Sequence, residues 1–203
     1  SLARALVYPS QVYLFDEPLS NLDAKLRLEA RGFLNHLQRD MGMTAVYVTH
    51  DQAEAMALAT RIAVMDKGRI VQFAPPIEIY RRPATTFVAN FVGNPPMNLV
   101  SADAMVADGK LQLRADGLAL SGLPVSDALA AAAGSGRMPL GVRPEPLRIA
   151  HAGDENTPTG KLFANHNLGP ASLVTMEPQD AGPVTPRLFT GAEIPGHAAL
   201  PLA

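Results

Sequence analysis

Two carboxylates, Asp16 and Glu17, stand side by side directly after the apolar run Val12, Tyr13, Leu14, Phe15. An unbroken apolar run of that length, without polar alternation, predicts a strand covered on both faces, with the two acids at its carboxyl end. Ligands bind at that edge of open parallel sheets, so acids placed there are positioned for chemistry rather than for solubility. The bland alternative is that the pair simply closes a strand and Pro18 starts a loop, since most acids are solvated surface groups. A second candidate is His50, at the end of the short apolar strand 45–49. A lone histidine after a strand is more often a satisfied structural residue than a catalytic one.

The elements around these residues are legible from periodicity and punctuation. Pro-Leu-Ser-Asn-Leu-Asp follows Glu17 at once, and a helix is predicted over 24–41, with Leu26, Ala30, Phe33, Leu34, Leu37 and Met41 along one face. Asp23 suits its N-cap and Gly42 its C-terminal cap. The charged face of this helix (Lys25, Arg27, Glu29, Arg31, Arg39) reads most simply as a solvated surface. Asp51 and Glu54 have the spacing of a capping box, which opens a helix over 52–59 and leaves His50 at the loop tip. Strands over 62–65 and 70–73 flank a turn in which Gly68 supplies the positive φ. Two short helices, with Ile77, Ile79 and Tyr80 in one and Phe87, Val88, Phe91 and Val92 in the other, read as packing elements.

With those residues in place, the stretch VYLFDEPLSNLD (12–23) resembles the Walker B strand and D-loop of ATP-binding cassette (ABC) ATPases. The resemblance implies that Asp16 orients a magnesium ion through a bound water and that Glu17 is the general base for the attacking water. A carboxylate does that work only within hydrogen-bond reach of the water, in a dry site. It also implies that Ser20 and Asp23 belong to a D-loop that crosses to a second ATPase subunit. YVTHDQ (47–52) resembles the H-loop of the same ATPases, whose histidine, here His50, contacts the γ-phosphate of ATP. PPIEIYRRPATTFVANFVGNPPMN (75–98) resembles the end of the ATPase domain in importers of sugars and glycerol phosphates. The Gly-rich phosphate loop, the Gln loop and the LSGGQ-type signature are not in this sequence. Its first residues read like the middle of a helix, so the chain is expected to start inside a larger domain.

Composition narrows the field. A net charge of −2 over 203 residues gives no large field, so neither nucleic acid nor an anionic membrane surface is indicated. Absence of cysteine excludes disulfides and thiolate metal sites. No apolar run approaches the roughly 20 residues that span a bilayer, so a membrane link must run through other subunits. His151, His166 and His197 lie far apart, without ligand-type spacing.

Beyond residue 98 the character changes. Eleven of the 18 prolines fall after Val100, and short, partly alternating segments recur between turns at 110–114, 118–121, 138–142, 147–150, 161–164, 173–176, 187–190 and 198–202. Such spacing predicts a small β-barrel or sandwich, with one alanine-rich helix at 126–133. GVRPE (141–145) resembles the entry to the OB-like (TOBE) regulatory domain of importer ATPases. One departure is Asn165-His166-Asn167-Leu168-Gly169, where the family has Glu before its Leu-Gly turn. The chain also stops before the last strand expected of the barrel.

The expectation is therefore an α/β protein: a partial P-loop NTPase (ABC cassette) parallel sheet with helices over 1–98, then an all-β OB-like (TOBE) barrel over 99–203. The resemblance implies an ATP- and magnesium-using ATPase of an importer, homodimeric, on two transmembrane permease subunits at the cytoplasmic face of the inner membrane. A solute-binding protein would be an indirect partner and nucleic acid none. Without the phosphate loop, this chain alone is expected to bind ATP weakly and hydrolyse it negligibly. Two alternatives stand beside this reading: a regulatory, solute-sensing module built on a half-cassette, and a non-transport ABC ATPase. The 75–98 and 141–145 segments count against the latter.

Overall fold

β1 (Val12–Asp16) and β2 (Thr44–Val48) pair in parallel, from Val12 opposite Thr44 to Asp16 opposite Val48. The computed structural model describes residues 6–115, 118–133, 136–150, 159–178, 186–190 and 199–201. Two parallel strands need a crossover, and α1 (Ala24–Met41) supplies it. Asp23 caps α1 by accepting from the Leu26 amide at 2.9 Å. At its other end Gly42, at φ 58°, donates to Arg39 O while Met43 N donates to Gln38 O. This paired closure satisfies two carbonyls that would otherwise be orphaned. The predicted helix and both of its caps are therefore present.

The expectation that β1 is covered on both faces is not met. Tyr13 and Phe15 are buried and stack with centroids 6.2 Å apart, with Phe15 also edge-on to Tyr47. The opposite face carries Val12, Leu14, Val46 and Val48, and all four are exposed, Leu14 to 77%. Among the described residues this sheet has two strands and a covering layer on one side only.

α2 (Gln52–Leu58) packs against α1. β3 (Ile62–Asp66) and β4 (Arg69–Ala74) form an antiparallel hairpin through Lys67 and Gly68, both at positive φ (48° and 77°). Positive φ at both central residues suits the twist of a two-residue hairpin. α3 (Pro76–Arg81) and α4 (Thr86–Phe91) follow, and Ile79 and Val88 are fully buried. The expected helix at the N-terminus lies almost wholly outside the described residues. No described helix is long and apolar enough to cross a membrane.

The chain divides into two compact units, Ser1–Val88 and Ala89–Ala203. In the second, β5 (Asn98–Ala107), β6 (Lys110–Ala115), β7 (Leu118–Leu123) and β8 (Arg137–Val142) form an antiparallel sheet in the order β7-β6-β5-β8. Its core is Ala102, Ala104, Leu111 and Leu113. α5 (Asp127–Ala132) is capped by Ser126. A second antiparallel sheet runs β11-β10-β9-β12, from β9 (Thr159–Asn167), β10 (Ser172–Pro178), β11 (Arg187–Thr190) and β12 (Ala199–Pro201), around Val174, Met176 and Leu188. The Asn98 side chain ties the sheets together, donating to Arg187 O at 3.0 Å and accepting from Arg187 N at 2.9 Å.

Three expectations for this half need correction. Closing a barrel requires the end strands to pair, and neither described sheet closes: each is an open four-stranded sheet. Residues 147–150 are not a strand; Leu147 and Ile149 instead pack irregularly against the Val174 cluster. The longest strand of the first sheet, β5, was not among the expected segments, because its inward residues Ala102 and Ala104 give only a faint apolar alternation. His151 and His197 lie outside the described residues.

Candidate functional site

The parallel ladder runs one residue past β1, where Glu17 N donates to Val48 O at 2.9 Å, and there the chain turns. Glu17 sits in the left-handed region, at φ 44°. For a residue with a Cβ this costs of order 1 kcal/mol, and such strain gathers at functional sites. Two residues beyond Val48, His50 occupies the loop tip. Its Nδ1 lies 2.9 Å from Glu17 Oε1, with the ring 73% and the carboxylate 45% exposed.

A carboxylate can only accept, so Nδ1 carries the proton and Nε2 is the ring's second polar atom. The hydrogen bond to Glu17, then the charge of Glu17, raises the His50 pKa above its ordinary value, with smaller contributions from Glu54 and Asp51.

Behind the pair lies a polar network that fixes both neighbours of His50. Glu54 is the one buried charged side chain among the described residues. Its Oε2 accepts from Thr49 Oγ1 at 2.8 Å and from Tyr47 OH at 3.1 Å. Burial first, and the Glu54 charge next, push the Tyr47 phenol well above the usual tyrosine range, so it stays a donor. Asp51 Oδ1 caps α2 by accepting from Ala53 N and Glu54 N, and Asp51 Oδ2 faces Arg31 at 3.4 Å and Arg27 at 3.5 Å.

The capping role read for Asp51 is therefore present, but the reciprocal half of the box is not. Thr49 Oγ1, not Glu54, accepts from the Asp51 amide, at 3.0 Å. The Glu54 carboxylate turns inward because Tyr47, Thr49 and Arg27 give it stronger partners there.

Of the residues singled out from sequence, the fold brings Glu17 and His50 into contact. Asp16 ends β1 as an exposed carboxylate. The Ser20 hydroxyl folds back to donate to Glu17 O at 2.9 Å, and the Asp23 carboxylate caps α1. Sequence reasoning missed Arg27, Arg31, Tyr47, Thr49 and Glu54. Arg27 and Arg31 were read as solvated, yet they are 29% and 20% exposed and face Asp51. Their i,i+4 spacing, which places both on one side of α1, was the available signal.

No three His, Cys, Asp or Glu among the described residues cluster as a metal site. The hard oxygens of Asp16 fit magnesium, which is commonly held by one or two carboxylates together with phosphates and water. The hydroxyls and imidazole present do not by themselves form a triphosphate cradle.

No family model matches this chain. Curated proteins do. It is 45% identical over 180 residues (86% of this chain, 44% of the relative) to an sn-glycerol-3-phosphate import ATP-binding protein UgpC of Rhodopseudomonas palustris (strain BisA53). It is 44% identical over 174 residues (86% and 44%) to a protein of the same name in Vibrio vulnificus (strain YJ016). A third, from Chromobacterium violaceum, is 49% identical over 155 residues (76% and 40%). The chain belongs to the ABC importer ATP-binding subunits. It spans less than half the length of these relatives. At 86% coverage the match to this importer family extends into both compact units.

Proposed function

We propose that this chain forms part of the ATP-hydrolysing subunit of an ABC importer for a small polar solute, such as a sugar or glycerol phosphate. The observation that carries the reading is the 2.9 Å contact between Glu17 Oε1 and His50 Nδ1, at the carboxyl end of two parallel strands. Glu17 acts as general base: one carboxylate oxygen holds His50, and the other accepts the proton of the attacking water. Such a base contributes about 10²–10⁴ in rate. His50, held through Nδ1, turns Nε2 toward a phosphate oxygen, and its raised pKa favours the charged ring that donates there.

Asp16 supplies a carboxylate for magnesium, which neutralises developing charge on the phosphates when bound. Ser20 and Asp23 lie in the loop offered to a second, identical ATPase subunit. Residues 1–98 serve as the C-terminal part of the ATPase domain and 99–203 as its regulatory domain. The complete assembly has two permease subunits, with a solute-binding protein as indirect partner, and sits at the cytoplasmic face of the inner membrane.

The 203-residue chain alone binds MgATP weakly and hydrolyses it negligibly, because it lacks a phosphate loop. Isothermal titration of MgATP into this chain tests that part: binding weaker than micromolar is expected, and micromolar binding would overturn it. For the whole reading, co-purification of the subunit with membrane permease proteins from its native source is expected. A subunit found free of them, with no ATPase activity, would overturn it.

A further inference from the structure

Arg27 reaches two loops at once. Its Nη2 donates to Leu22 O at 3.0 Å, with a longer 3.5 Å contact to Ser20 O, so it holds the loop 20–23 by its backbone carbonyls. Its Nη1 lies 3.5 Å from Asp51 Oδ2, and its Nε lies 3.8 Å from Glu54 Oε1, too far for a hydrogen bond but close enough for charge attraction. Asp51 and Glu54 in turn pin the residues that flank His50: Asp51 is the next residue, and Glu54 accepts from Thr49. The polar atoms of the guanidinium therefore contact both the segment after Glu17 and the segment around His50. A planar fork can serve carbonyls on one edge and carboxylates on the other, which a lysine ammonium cannot.

We propose that Arg27 is a positioning residue that locks the loop 20–23 to the His50 loop, so that seating a ligand on His50 also fixes Ser20 and Asp23. This rests on the reading of Glu17 and His50 as the hydrolytic pair, and it assigns no reacting role to Arg27. Because the link runs from Glu54 through Arg27 to the Leu22 carbonyl, a change at Glu54 must be felt at residues 20–23 only while Arg27 is present. A side chain that merely supports folding has no such conditional effect.

The test is a set of amide spectra of the ¹⁵N-labelled 203-residue chain in four forms: unchanged, E54Q, R27M, and both together. Glu54→Gln is expected to shift the amides of residues 20–23 in the otherwise unchanged chain, and this shift is expected to be lost when Arg27→Met is also present. A shift that persists without Arg27, or that is absent with it, overturns the proposal. Should R27M or E54Q fail to fold, R27K and Y47F replace them: Lys keeps the charge without the fork, and Phe removes one hydroxyl from Glu54, with the same expected loss. The unchanged chain gives an independent measurement. An Arg27 guanidinium held on both edges shows separate, slowly rotating Nη signals, and averaged signals would overturn the proposal. These spectra contain no nucleotide, so they can refute the coupling alone, whereas undiminished hydrolysis by an E17Q subunit would refute the catalytic reading and leave the spectra unchanged.

Discussion

Removing the Glu54 carboxylate should destabilise the first unit more than any change at the exposed pair it supports. Glu54 is 2% exposed and accepts two hydroxyl hydrogen bonds, from Tyr47 and Thr49. Hydrogen bonds to a charged group are worth about 1.5–3 kcal/mol each, which gives a gross loss of roughly 3–6 kcal/mol for Glu54→Ala. Two effects reduce it. Tyr47 and Thr49 are only half-buried, so water can replace part of what they lose, and deleting a buried charge relieves its desolvation cost. A net loss of about 2–4 kcal/mol is expected. E54Q keeps an amide oxygen for the hydroxyls and loses only the charge, for about 1–2 kcal/mol, and Y47F forfeits one bond, for about 1 kcal/mol. All four tyrosines lie in the first unit and the chain has no tryptophan, so tyrosine fluorescence during urea unfolding reports this unit alone. An E54A loss below about 0.5 kcal/mol, the range of an ordinary surface substitution, would mean that the buried carboxylate does not anchor Tyr47 and Thr49, and so would a gain.

Two further expectations concern pH. His50 has a raised folded pKa, so its contribution to stability is fully present below the ordinary histidine value of 6.5 and fades as pH rises through the higher folded value. In E17Q the negative charge beside His50 is gone and only a weaker, neutral amide oxygen is left to accept from Nδ1, so ring NMR should find His50 titrating lower than in the unchanged chain; an unaltered titration would contradict the contact. Tyr47 is likewise raised, so its contribution holds below the ordinary tyrosine pKa of about 10 and is lost as pH climbs beyond it. Urea unfolding at rising alkaline pH, followed by far-UV circular dichroism, should show this loss in the unchanged chain and its absence in Y47F.

Much of the site could be read from local signals. The acids after an apolar run, the histidine after a second strand, Asp23 and Gly42 at the ends of α1, and Asp51 at the start of α2 all depend on a few adjacent residues, and each is where those residues imply. What escaped depends on distant partners. Glu54 has capping-box spacing, but its direction is decided by Tyr47 and Thr49 on β2 and Arg27 on α1, which no spacing rule sees. Arg27 and Arg31 look like surface charge until α2 packs beside them. β5 escapes because alanines do its packing, and the barrel rests on strand spacing and on the resemblance of residues 141–145, neither of which reveals whether the end strands meet. Leu14 reads as core from its neighbours, yet its face of the sheet is bare among the described residues.

On the proposed reading, Glu17 is the general base of an ATP-hydrolysing subunit. Its most direct test is MgATP hydrolysis by the complete ATP-binding subunit carrying Glu17→Gln, measured beside nucleotide binding. A fall of about 10²–10⁴ in kcat is expected with MgATP still bound, because the amide keeps the shape of the site but cannot take a proton. A variant that hydrolyses ATP at the unchanged rate would contradict it.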